Sequence, residues 1–87
     1  MKHWPFQVRE QRFGVDAGTV IETADGQWAP ATILNVSNHG CRIATSKPLA
    51  IDEAVRLEVE PFGYVEARVV WTCFEGAGLE FVSRLEP

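Results

Sequence analysis

Turn signals recur along this chain about every dozen residues, and no stretch between them carries the apolar period of a helix. The signals are Asp25-Gly26, Asn38-His39-Gly40, Lys47-Pro48, Pro61-Phe62-Gly63 and Glu75-Gly76. What lies between them alternates. In Val55-Arg56-Leu57-Glu58-Val59-Glu60 every second residue is apolar and the others are charged, which is the pattern of a strand with one wet face. From Tyr64 to Phe74, the residues Val65, Ala67, Val69, Trp71 and Cys73 alternate with Glu66, Arg68, Val70 and Thr72. Leu79 and Phe81 flank Glu80 in a last short strand. Ala17 to Thr23 and Ala31 to Val36 are rich in Thr, Val and Ile, as strands tend to be, and Cys41, Ile43 and Thr45 share one face after Gly40.

Six short strands joined mostly by tight turns predict an all-β chain, a small six-stranded antiparallel β-barrel, because closure leaves no long edge bare. Asp25-Gly26 suits a hairpin, and Pro61 is expected in the second position of a turn that Gly63 closes. The longer link from Ser46 to Glu53 fits a crossover between sheets or across the barrel, with Asp52-Glu53-Ala54 making one turn of helix at most. Trp71, Phe81, Cys41 and Cys73 fall on the inward phase and are expected in the core, while Trp28 is expected to cap one barrel end.

At 87 residues the chain is one small domain, residues 1–87, with no room for a second. Its 46% hydrophobic content is ordinary and argues against disorder. No apolar run approaches the roughly 18 residues of a membrane helix, so membrane insertion is not expected. The Met1 to Phe6 stretch does not read as a signal peptide, and a cytoplasmic location is expected. Two cysteines are too few for a disulfide scaffold, and neither they nor His3 and His39 have matched metal ligands, so no metal and no cofactor is expected.

Charge is unevenly placed. The first twelve residues hold Lys2, Arg9 and Arg12 against Glu10 alone, whereas residues 13–87 hold five basic side chains against eleven acids. Residues 1–13 therefore read as a basic N-terminal arm on an acidic body. An acidic body does not suit duplex DNA, and no strand face interleaves basic and aromatic residues as a single-strand binder would, so neither DNA nor RNA is expected as a partner. A small anion beside the basic arm remains compatible. Trp4 and Phe6 on the arm are expected to pack on the barrel, on a second copy or on a partner.

The segment Asn35-Val36-Ser37-Asn38-His39-Gly40 reads first as a hairpin loop, since Asn and Ser bond back to nearby backbone and Gly takes tight corners. A Ser37–His39 catalytic pair lacks a visible orienting partner and oxyanion site, and no triad, metal set or phosphate loop is present, so the chain is not expected to be an enzyme. The spacing Asn35-x-Ser37-x-x-Gly40 also resembles the [D/N]-x-S-x-x-G motif of the PilZ domain family. Gly40-Cys41-Arg42-Ile43 is similar to the strand that follows that motif. Arg68-Val69-Val70-Trp71 and Ala77-Gly78-Leu79-Glu80-Phe81 resemble the family's closing strands, and Arg9 and Arg12 lie upstream where the family carries a pair of arginines. The resemblance covers about residues 7 to 83.

That resemblance implies a six-stranded antiparallel barrel that receives the bacterial second messenger cyclic di-GMP. The implied ligand-binding residues are Arg9, Arg12, Asn35, Ser37 and Gly40, the arginines clamping phosphate or guanine and the turn contacting the other side of the nucleotide. It further implies a bacterial adaptor that contacts an unidentified effector protein, as a monomer or weak homodimer. The family spaces its arginines four apart; here they are three apart, which in an extended arm puts them on opposite faces, with Glu10 between them. The alternative is accordingly a degenerate PilZ domain that binds no cyclic di-GMP and serves as a protein–protein interaction module.

Overall fold

The computed structural model describes residues 13–86. Within them the alternation does what it predicts: in Val55 to Val59 the residues Val55, Leu57 and Val59 are buried, while Arg56 between the first two is exposed. Six strands form, β1 (Phe13–Glu22), β2 (Trp28–Val36), β3 (Gly40–Ala44), β4 (Ala54–Glu58), β5 (Tyr64–Cys73) and β6 (Gly76–Phe81). All neighbours are antiparallel, and the order β1-β2-β3-β6-β5-β4 closes on itself as a barrel. The expected fold class is the observed one. Ile21, Ile43, Leu57, Val69 and Leu79 meet fully buried inside, each contributing on the order of 2 kcal/mol through apolar burial.

β3 and β4 are not neighbours in the sheet, so residues 45–53 cross the barrel, as their length suggested. No helical turn forms there. Asp52 sits at φ 73°, its N–H bonded to the Val69 carbonyl at 2.7 Å, and Ala54 already opens β4. In the β4–β5 turn Phe62 N–H returns to the Val59 carbonyl at 2.7 Å, so Pro61 holds the third position rather than the second, and Gly63 accepts from Val59 N–H at 2.8 Å.

Three expectations fail, for Trp71, Cys73 and Trp28, the first two for a single reason. β5 carries an irregularity between Val69 and Trp71: Val69 pairs with Leu79, Trp71 with the next residue back, Gly78. The extra residue reverses the in–out phase. Phe81 is buried as expected, but Trp71 is only half-buried and Cys73 is exposed, leaving Cys41 as the buried thiol. Trp28 does not cap an end. It opens β2 on the outer surface, 45% exposed, where the Arg56 guanidinium lies 5.7 Å from the centres of both its ring and the Tyr64 ring.

The seam that closes the barrel is its shortest ladder. β1 meets β4 only at Ile21↔Leu57 and Glu22↔Arg56. Beyond it, the Thr19 hydroxyl donates to the Glu58 carbonyl at 2.9 Å, and Arg56 reaches back to Glu22 at 2.7 Å.

Candidate functional site

The connection from β2 to β3 is a short turn held by its own backbone. Ser37 N–H donates to the Gly40 carbonyl at 2.9 Å, and the Ser37 Oγ accepts the His39 N–H at 3.2 Å. The serine is a turn-former here, since a hydroxyl placed two residues before an N–H folds the chain back on itself. Ser37 is 4% exposed. The loop is also fastened from outside: the Asn38 carbonyl accepts Leu85 N–H at 2.8 Å and the His39 carbonyl accepts Phe81 N–H at 2.7 Å. The last residue of β6 and the segment that follows it thus fix the two loop residues between Ser37 and Gly40.

Strand register decides which side chains share this end of the barrel. Phe13 and Gly14 of β1 stand across from Val36 and Asn35. Asn35 in turn stands across from Arg42 of β3, after an irregularity between Ile33 and Asn35, and Arg42 stands across from Gly78. Cross-strand partners lie about 4.5–5.5 Å apart at Cα and project to the same face. Arg42 is exposed while its neighbours Cys41 and Ile43 are buried. The row Gly14–Asn35–Arg42–Gly78 is therefore on the outward phase of the sheet, and Gly40, two residues from Arg42, shares that phase, although Gly40 and Gly78 are themselves buried.

Of the five residues singled out in the sequence, Asn35, Ser37 and Gly40 are brought together at one barrel end. Arg9 and Arg12, like Trp4, Phe6 and the rest of the arm before Phe13, lie outside the described residues. Sequence reasoning passed over Arg42. Its phase against Cys41 and Ile43 marks it as outward-facing, but its place beside Asn35 depends on the β2–β3 register.

Chemically, the site offers a guanidinium, an amide and a main-chain turn on an outer surface. The Ser37 hydroxyl is engaged in the turn rather than held by a base. Among the described residues no three His, Cys, Asp or Glu side chains gather in a group able to hold a metal ion, and no helix is long and apolar enough to cross a membrane.

Comparison with known families matches the PilZ domain over residues 7–87. The chain belongs to the PilZ family. The match runs through both closing strands and the Asn35–Gly40 turn, and it takes in the stretch that carries Arg9 and Arg12. The PilZ family is one of receptor and adaptor domains rather than of catalysts. No curated protein matches the chain.

Proposed function

We propose that this PilZ domain is a cyclic di-GMP receptor that acts as an adaptor in bacterial signalling. Asn35, Ser37 and Gly40 supply one side of the site, and Arg9 and Arg12 supply the phosphate- and guanine-binding side. The observation that carries the reading is register. Phe13 pairs with Val36, the residue before Ser37, so the chain that bears Arg12 joins the barrel beside the turn. Arginine suits the ligand because its planar fork matches phosphate oxygens and the guanine O6/N7 edge, each good bidentate pair being worth about 1–3 kcal/mol. Binding of the ligand by residues of both arm and barrel creates a composite surface, which is what an effector protein reads. The domain works in the cytoplasm, without a cofactor, as a monomer or weak homodimer.

A second reading keeps the fold and drops the ligand. It is favoured by the three-residue spacing of Arg9 and Arg12 with Glu10 between them. In that case the barrel is an interaction module whose partner contacts residues that no nucleotide touches.

Isothermal titration of cyclic di-GMP, with GMP as control, separates the two. The receptor reading expects saturable heat that is lost in Arg12→Ala and in Ser37→Ala while both variants stay folded. The absence of heat at protein concentrations in the tens of micromolar assigns the chain to the second reading.

A further inference from the structure

We infer that Arg42 is a further anion-binding residue of this site and takes a phosphodiester oxygen pair of the ligand. The inference rests on the receptor reading for the identity of the ligand, and on the structure for the place of the side chain. Arg42 projects from the outer face of β3, exposed, directly across from Asn35 and two residues from Gly40. Among the described residues no salt bridge or hydrogen bond engages it, in contrast to Arg56, which is held by Glu22 at 2.7 Å and lies against two rings. An arginine kept for the stability of the barrel would look like Arg56. Arg42 instead presents an uncommitted fork.

Its surroundings favour a flat, anionic ligand. On β1 and β6 the residues that continue its row are Gly14 and Gly78, which carry no side chain, and beyond Gly78 the row reaches the half-buried Trp71 of β5. The nearest acid in register is Glu80, across from Gly40 and so diagonal to Arg42. Glu80 also stands across from Arg68 on its other side, which leaves the local charge of the outer face balanced before Arg42 is counted.

The test uses the full chain as wild type, Arg42→Ala, Arg42→Lys and, as a control at the opposite barrel end, Lys47→Ala. Cyclic di-GMP is titrated into each at two salt concentrations. Wild type and Lys47→Ala bind alike, Arg42→Ala binds at least tenfold more weakly with a flatter salt dependence, and Arg42→Lys recovers the salt dependence but only part of the affinity, as a point charge in place of a fork does. Melting temperatures of the three variants stay together. In parallel, pyrophosphate is titrated while the Arg42 Nε and Asn35 side-chain amide resonances are followed. Wild type that binds the nucleotide with Arg42→Ala unchanged overturns the inference and leaves the receptor reading intact. Wild type that binds no nucleotide, but whose Arg42 resonance moves with pyrophosphate, overturns the receptor reading and retains Arg42 as an anion site. Silence to both probes overturns both.

Discussion

Ser37 and Gly40 close the β2–β3 turn on each other, the serine N–H donating to the glycine carbonyl at 2.9 Å, so the family motif is first of all a structural clasp. The side chain adds one bond, from His39 N–H to Ser37 Oγ at 3.2 Å. Ser37→Ala removes that acceptor from a part-buried amide and is expected to cost about 1 kcal/mol. In a domain of this size that lowers the melting temperature by about 4–8 °C, read by circular dichroism. The barrel stays folded, because the main-chain clasp and the Leu85 and Phe81 bonds to the loop persist. Loss of a cooperative melt in this variant would contradict the placement of the turn's stability in its backbone.

The two thiols are expected to behave oppositely. Cys73 is exposed and Cys41 buried, and burial pushes the Cys41 thiol up from its ordinary 9.0 to about 12. Iodoacetamide on the native protein at pH 8 therefore adds one group, at Cys73, and a second only after denaturation. The pH dependence follows in sign. The unfolded chain releases the Cys41 proton first, near pH 9, so stability from this group is complete below that pH. It declines as pH rises towards 12. Cys41→Ala is expected to flatten that alkaline limb in urea unfolding; an unchanged limb would remove Cys41 as its cause.

The barrel was legible in the sequence because its signal is local. Turn residues stand at even intervals, and the alternation of Val55, Leu57 and Val59 with charges needs no partner strand to be read. What was not legible depends on register. The irregularity between Val69 and Trp71 adds one residue opposite β6, and nothing in Arg68-Val69-Val70-Trp71 announces it, so Cys73 reads as core and is surface. Trp28 was misplaced for a similar reason: its companions Arg56 and Tyr64 come from β4 and β5. Arg42 does not stand out in the sequence, because its nearness to Asn35 exists only across the β2–β3 ladder. The Asn35, Ser37 and Gly40 cluster was legible because six consecutive residues carry it.

Gly76 is held by close packing rather than by backbone conformation. A Cβ added there would lie 2.0 Å from the Ile43 carbonyl oxygen and 3.0 Å from the Ala44 Cα, both main-chain atoms that cannot swing aside. Gly76→Ala must push β6 off β3 and is expected to cost at least about 2 kcal/mol. Gly18 supplies the contrast, since a Cβ there meets nothing within 4 Å. Gly18→Ala is expected to be neutral or to stabilise by about 0.4–1 kcal/mol, through the lower entropy of the unfolded chain. Urea unfolding of the two variants side by side checks the pair, and a Gly76→Ala protein as stable as wild type would mean that β3 and β6 do not approach as closely as described.

Arg56 ties the short β1–β4 seam to the outer aromatic pair. Its Nε and an Nη both reach the same Glu22 oxygen, at 3.0 and 2.7 Å, and its guanidinium lies 5.7 Å from the Trp28 and Tyr64 ring centres, which themselves meet edge-on at 5.8 Å. Half-exposed ion pairs contribute about 0.2–1 kcal/mol and exposed cation–π contacts about 0.5–1 kcal/mol each. Arg56→Ala is thus expected to cost about 1–2 kcal/mol. The ion-pair share is screened by salt, so raising sodium chloride to 1 M should narrow the gap between Arg56→Ala and wild type without closing it. Glu22→Gln separates the contributions: it removes the ion pair, leaves the guanidinium between the rings, and is expected to cost less than Arg56→Ala at every salt concentration. Equal losses in the two variants would place the whole effect in the ion pair and leave the rings as bystanders.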